Sequence, residues 1–268
     1  MRNLSICVLT YNQPSLLDSC LKSIDKDDRL ECIVIDNASP DPDLTKQIAH
    51  AHGWEVRRSE VQRGNIGGQN LCFELTDSKF VLFISDDVII KNFEFFMTKL
   101  VSAADMLPQW GQVMPPITEH SLVRQIYGMD WRWPGYGKSL ITDARFEREI
   151  RRYGVLQVPI VPSICYLMKR SAWEEVGGFD EELGTSHEDV DMGIRLAQEG
   201  YGCYVALTSM IEHKCNGTLR ETILNPSQKF QEARLKVIRK HYRGVDRWAR
   251  LLAVRLVYYL CSHFRKTQ

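Results

Sequence analysis

The chain has 268 residues, 44% hydrophobic and 25% charged, which supports a sizeable folded core and excludes a globally disordered chain. Its 34 Lys and Arg balance 34 Asp and Glu, so bulk charge implies no nucleic-acid partner. None of the eight cysteines forms a Cys-x-x-Cys pair, so no zinc site is indicated, and no uncharged apolar run of about 18 residues offers a membrane span.

The first half alternates apolar runs with helical patterns. Residues 4–10 (LSICVLT) read as a buried strand, and 15–24 as a helix with Leu16, Leu17, Cys20, Leu21 and Ile24 on one face. Residues 31–36 (ECIVID) make a second strand, 41–52 a helix and 54–58 a short strand. A helix over 67–76 follows a glycine-rich turn. Residues 80–85 (FVLFIS) form a fourth strand and 93–104 another helix. This alternation predicts a mostly parallel sheet covered on both faces. From 117 to 154 the chain is rich in aromatics and charge, without a clean period. Residues 158–168 (VPIVPSICYLM) read as one apolar strand with early prolines. Residues 171–176 read as a short helix stopped by Gly177 and Gly178, and 188–199 as a helix ended by Gly200. Short strands follow near 203–206 and 210–213. The tail, 226–264, is helical with a break at Gly244.

In a parallel α/β sheet, ligands bind beyond the carboxyl ends of the strands. Three strands end in polar residues suited to a nucleotide: Thr10-Tyr11-Asn12, Asp36-Asn37 and Ser85-Asp86-Asp87. An Asp in such a place is also an ordinary turn or cap residue, but three on one rim make a site. Adjacent carboxylates after an apolar strand repel each other unless a cation is near. Mg2+ or Mn2+ takes oxygen ligands and bridges to a diphosphate, and His213 becomes a candidate further ligand. His187, Glu188, Asp189 and Asp191 open a helix, where acidic residues are favoured. They exceed what capping needs, and a carboxylate on a site rim can act as general base. The run RGNIGGQN from Arg63 to Asn70 is a phosphate-approaching loop or simply a tight turn. Tyr127, Trp131, Trp133 and Tyr136 offer faces to sugar rings, or pack a core or a dimer contact.

Together these pieces resemble family 2 glycosyltransferases, especially the rhamnosyltransferase-like branch. The matching stretches are SICVLTYNQPSLLDSCLKSI, CIVIDNASPD, RGNIGGQN, FISDDVII, VGGFDEELGTSHEDVDMGIRLAQEGY and EHKCNG, in the family's order. The resemblance implies an α/β protein of the GT-A fold over 1–225. A Rossmann-like nucleotide-binding half with a mostly parallel central sheet (1–104) is joined to an acceptor half (105–225), and C-terminal helices make a basic extension over 226–268. It implies inverting transfer from a UDP- or dTDP-sugar, rhamnose among the candidates, to a hydroxyl of a glycan or lipid-linked glycan. Thr10, Tyr11 and Asn12 would line the nucleotide pocket, and Asp36 would accept a hydrogen bond from the base. Arg63, Asn65 and Asn70 would belong to the donor-side loop, and Asp86 would face the ribose or the metal shell. Asp87 and His213 would bind Mn2+ or Mg2+, and Asp189 would be the catalytic base. Trp131, Trp133, His187 and Glu188 would meet the acceptor. Ser85 stands where the family's Asp-x-Asp motif often has its first carboxylate. A nucleotidyltransferase on a related sheet and a non-catalytic sugar-binding subunit are the alternatives. The acidic cluster around Asp189 speaks against the first, and the retained Asp87, Asp189 and His213 against the second.

The N-terminal stretch MRNLSICVLTYN lacks the apolar core of a signal peptide, and Cys7, Cys32 and Cys165 in apolar runs suit a reducing compartment. A cytoplasmic place is the expectation. Residues 226–268 hold 11 of the 34 basic and 2 of the 34 acidic residues, a net of +9 against −9 for the rest. The favoured reading docks this tail on the acidic body, its apolar face completing the core. The other lays its arginines and aromatics in an anionic membrane interface as a peripheral contact.

Overall fold

A computed structural model describes residues 3–26, 30–119, 124–126, 128–131, 138–140, 144–184, 186–208, 211–214 and 228–264, with backbone alone at 119, 124–125, 130–131, 138–140, 144–145 and 257–264. The first half runs β1 (Leu4–Thr10), α1 (Pro14–Lys22), β2 (Glu31–Asp36), α2 (Pro42–Ala51), β3 (Glu55–Arg58), α3 (Gly64–Glu74), β4 (Phe80–Ser85), β5 (Val88–Ile90) and α4 (Phe93–Met106). Then come β6 (Trp110–Met114), β7 (Ile117–Glu119), β8 (Arg124–Ile126), β9 (Met129–Trp131), β10 (Lys138–Leu140), α5 (Ala144–Tyr153), β11 (Val155–Val158), β12 (Cys165–Lys169) and α6 (Arg170–Glu175). After a 3-10 turn at Glu181–Leu183 follow α7 (Glu188–Gln198), β13 (Gly202–Ala206), β14 (Ile211–His213), α8 (Gln228–His241) and α9 (Gly244–Phe264).

Eight strands form the central sheet in the order β11-β13-β6-β12-β4-β1-β2-β3. β1 pairs in parallel with β2 and β4, and β2 with β3. β12 runs antiparallel between β4 and β6. The apolar runs become strands because helices cover both faces. Cys7, Val8, Ile33, Val34 and all of Val81–Ile84 have no exposed surface, the signature of buried parallel strands. Helix starts follow local chemistry. Asp41 caps α2 by accepting from the Leu44 N–H at 3.0 Å, with Pro42 next, and Asn92 caps α4 by accepting from Phe95. A second sheet, β5-β14-β7-β8, stands beside the end of β4, and β9 pairs with β10.

Two expectations need correcting. The apolar run 158–168 is not one strand. Pro159 and Pro162 interrupt it, because proline has no N–H for the ladder, so β11 pairs with β13 while β12 enters the sheet centre. The turn before α3 is instead its first helical turn, since the helix begins at Gly64. β5 and β6 were not legible as strands, and the irregular middle holds β7 to β10 and α5. Among the described residues all six cysteines are buried and free, and no helix is long and apolar enough to cross a membrane.

Helix α7 lies directly on the chain between β11 and β12. A Cβ at Gly193 would stand 2.9 Å from the Pro159 carbonyl oxygen, so only glycine permits this approach. That contact sets where the acidic start of α7 falls.

Candidate active site

The ends of β1, β2 and β4 share one rim, because Thr10 lies opposite Asp36 and Leu9 opposite Ser85. The polar residues there bond across strands. The Thr10 hydroxyl donates to Asp86 Oδ2 at 2.6 Å. The Asn12 N–H donates to Ser39 Oγ at 2.9 Å, and the Ser39 N–H to Asp36 Oδ1 at 2.8 Å. Arg58 of β3 holds the other oxygen of the fully buried Asp36. Asn37 donates to the Gly64 carbonyl at 2.8 Å and accepts from the Arg63 N–H at 3.0 Å, fixing the start of α3. Asn12 and Ala38 have φ of +53° and +64°. Left-handed backbone at non-glycine residues costs on the order of 1–3 kcal/mol and gathers at functional sites. Tyr11 is exposed.

Strand β14 brings the histidine to this rim. It pairs antiparallel with β5, His213 opposite Val88, which places His213 Nε2 3.0 Å from Asp87 Oδ2. The two adjacent carboxyls differ. Burial, then the Asp87 charge, pushes Asp86 up to about 7 against the Thr10 hydrogen bond. Burial would also raise Asp87, but the hydrogen bond and charge of His213, with Ser85, hold it below its usual value. Asp87 Oδ1 and His213 Nδ1 are buried without hydrogen-bond partners. Orphaned acceptors beside a carboxyl pair fit a divalent cation. Among the described residues no three such side chains gather as a metal cage.

At the start of α7 the chain passes through a strained residue. His187 has φ of +68° and no exposed surface, its ring edge-on to Phe230 of α8 at 4.4 Å. Glu188 Oε1 accepts from Asn65 Nδ2 at 3.3 Å, joining the starts of α7 and α3. Asp189 is 4% exposed, and its Oδ1 accepts the Val190 N–H at 2.8 Å. Asp191 is fully buried. It takes Arg195 Nε at 2.7 Å on one oxygen, and His241 Nε2 at 2.7 Å and Lys240 Nζ at 2.9 Å on the other. Lys240 also meets Asp180 at 2.6 Å. Helix α8 thereby braces the start of α7 from behind.

A family model described as Glycosyl transferase family 2 matches residues 5–177. The chain belongs to glycosyl transferase family 2. A family relative, the N-acetylglucosaminyl-diphospho-decaprenol L-rhamnosyltransferase of Mycobacterium tuberculosis (strain CDC 1551 / Oshkosh), is 33% identical over 88 residues. That match covers 31% of this chain and 29% of the relative, so the chain spans under a third of that protein. Among solved structures, GalNAc-T7 with UDP, GalNAc and Mn2+ superposes with a TM-score of 0.70 at 14% identity, over 89% of this chain and 48% of that one. The mannosyltransferase PcManGT of Pyrobaculum calidifontis, with GDP-Man and Mn2+, gives 0.63 at 16% identity over 94% and 68%. S. aureus TarS gives 0.60 at 15% over 89% and 39%. These likenesses show the fold, GT-A with C-terminal helices.

Within this family frame, Thr10, Asn12, Asp36, Asp86, Asp87, His213, Asn65 and Glu188 fall along the bonded rim. Arg63 and Asn70 turn away from it. Arg63 pairs with Glu74 and Glu181, and Asn70 donates to the Phe179 carbonyl at 3.0 Å and to Glu181 at 2.9 Å. With Gly67, whose Cβ would stand 2.7 Å from Glu181, they form a face of α3 that docks the turn at 178–181. Trp131 lies in β9 with its side chain outside the described set, and Trp133 lies outside the described residues. Sequence reasoning did not anticipate Ser39, Arg58, His241 or Lys240.

The Asp191 cluster yields a pH prediction. Burial alone would raise its carboxyl, but His241, then Arg195 and Lys240, outweigh burial and bring it from 3.8 to about 2. A depressed carboxyl stabilises the fold above its unfolded pKa near 4, and that stabilisation disappears as pH falls through about 2. Asp191→Asn should therefore lower unfolding free energy at pH 7 by roughly 2 kcal/mol. In urea titrations the gap to wild type should narrow as pH drops below 4, and a pH-independent gap would refute the assignment.

Proposed function

We propose that this family 2 member transfers a sugar, with inversion, from a nucleotide diphosphate donor to a hydroxyl of a glycan or lipid-linked glycan. The observation that supports this most is the continuity of the rim. Asp86 and Asp87 connect through Thr10, Asn12, Ser39, Asp36 and Asn37 to the start of α3, and Asn65 links that start to Glu188 beside Asp189. In this reading the diphosphate-side pair and the acceptor-side carboxylate stand at the two ends of one bonded network.

In this reading 1–104 is the donor half, 105–225 the acceptor half and 226–268 a helical extension. Tyr11 and Asn12 line the nucleotide with Thr10 behind them. Asp36 accepts from the base, aimed by Arg58 and the Ser39 N–H. Asp87 and His213 would hold Mn2+ or Mg2+, and Asp86 would face the ribose or the metal shell. The ion, when bound, stabilises charge on the departing diphosphate. Asp189 takes the acceptor hydroxyl proton as that oxygen attacks the anomeric carbon, and the bond to the diphosphate oxygen breaks in the same step. One displacement inverts the centre. Glu188, Trp131 and Trp133 orient the acceptor, His187 supports the start of α7 from within the core, and Arg63 and Asn70 act from behind by holding the 178–181 turn. The donor class is a UDP- or dTDP-sugar, rhamnose included, and the M. tuberculosis relative, named for N-acetylglucosaminyl-diphospho-decaprenol, points to a lipid-linked acceptor. Peripheral contact with a membrane would bring the site to it.

A thermal-shift panel of UDP-, dTDP- and GDP-sugars with Mn2+ tests this. The correct donor at a hundredfold excess over its dissociation constant adds about 2.7 kcal/mol of stability, and transfer from it yields a product of inverted anomeric configuration. Stabilisation by no nucleotide sugar, or a retained configuration, would overturn the reading.

A further inference from the structure

Helix α9 turns apolar side chains to solvent. Val245, Trp248, Leu252 and Leu256 are 82%, 65%, 51% and 55% exposed, and their spacing of three, four and four residues puts them on one stripe. The opposite side does the packing. Val254 is 2% exposed, and the Arg250 guanidinium lies 3.9 Å over the Tyr242 ring. Arg243, Arg247 and Arg255 are exposed on the same helix and its approach. The acidic residue there, Asp246, is paired with Arg250 at 3.0 Å. The docking expected for the tail is therefore carried by α8, and α9 leaves an unpartnered face.

We infer that α9 lies in the interface of an anionic membrane, with Val245, Trp248, Leu252 and Leu256 among the acyl chains and Arg243, Arg247 and Arg255 at the headgroups. Charge decides between occupants. A second copy packed on the stripe by a twofold axis sets arginines against arginines, whereas an anionic headgroup layer answers them. Trp248 suits the boundary, since its ring is apolar with one polar edge. The inference deepens the proposed reading, because an enzyme held on a membrane meets a lipid-linked acceptor in its own plane. Its test does not depend on that reading.

The full chain is sedimented with phosphatidylcholine vesicles, with and without phosphatidylglycerol. Binding is expected only with phosphatidylglycerol, weakening as salt is raised. The pair Leu252→Gln and Leu256→Gln, or the pair Arg247→Gln and Arg255→Gln, should lower the partition coefficient at least about tenfold. Both pairs should keep the wild-type melting temperature and UDP affinity, because these positions are exposed. Absence of binding to anionic vesicles overturns the inference, as does binding that the leucine substitutions leave unchanged. A concentration-dependent dimer abolished by Leu252→Gln overturns it in favour of a second copy. In each of these cases a retained shift with nucleotide sugar leaves the transferase reading intact.

Discussion

Replacing Asp189 with asparagine is expected to cut turnover at least about 10²-fold, the scale of lost general-base catalysis, while donor affinity stays within about twofold of wild type. The substitution keeps the shape of a side chain that is 4% exposed, and its amide oxygen can still accept the Val190 N–H that Asp189 Oδ1 accepts at 2.8 Å. The start of α7 therefore keeps its form, and basicity alone is removed. A hundredfold loss corresponds to about 2.7 kcal/mol of barrier. Single-turnover rates measured with saturating donor separate chemistry from binding. Near-normal turnover in Asp189→Asn would remove it as the base.

The second large effect belongs to Asp87. It touches His213 at 3.0 Å and has a buried oxygen without a hydrogen-bond partner. In wild type, calorimetry should show affinity for the donor's nucleoside diphosphate, UDP or dTDP, that depends strongly on Mn2+. Asp87→Ala should erase that dependence and lower kcat/KM by on the order of 10²- to 10³-fold, matching the few kcal/mol a Lewis acid contributes at a leaving group. A chelator should abolish wild-type turnover, and added Mn2+ or Mg2+ should restore it. Affinity for the donor's nucleoside diphosphate that is indifferent to metal in wild type would sink the assignment of Asp87 and His213.

The nucleotide-side scaffold was legible because its signals are local. Residues 4–10, 31–36 and 80–85 are apolar throughout since both faces of each strand are covered, and their polar endings marked the rim. What the sequence hid was non-local. The resemblance sets His213 beside Asp87, but the short β5 that brings β14 to it was not visible, because three residues carry no period to detect. Two of the partners of Asp191, Lys240 and His241, lie on α8, beyond the family match. Arg63 and Asn70 show a different failure. Paired glycines suggested a loop, yet positions 63, 67, 70 and 74 repeat at helical spacing and form the face that meets Glu181. The tail's charge imbalance anticipated the docking of α8 on Asp180 and Asp191, but the outward stripe of α9 needed the orientation that only the fold supplies.

The arrangement of the sheet also imposes an order in time. β1, β2 and β3 join across short crossovers, with Ile6 opposite Cys32 and Ile33 opposite Glu55, so they can close early at small entropic cost, while β4 returns to β1 across a longer loop. The contact that joins the starts of α3 and α7 spans a far longer loop, Asn65 to Glu188 across 123 positions, and His241 then closes on Asp191 across 50. Contacts of high sequence separation form slowly. A chain emerging from the ribosome would assemble β1 to β3 first and remain without a braced start of α7 until the residues around 241 are free to fold back. Competence for chemistry is thus among the last properties this protein acquires.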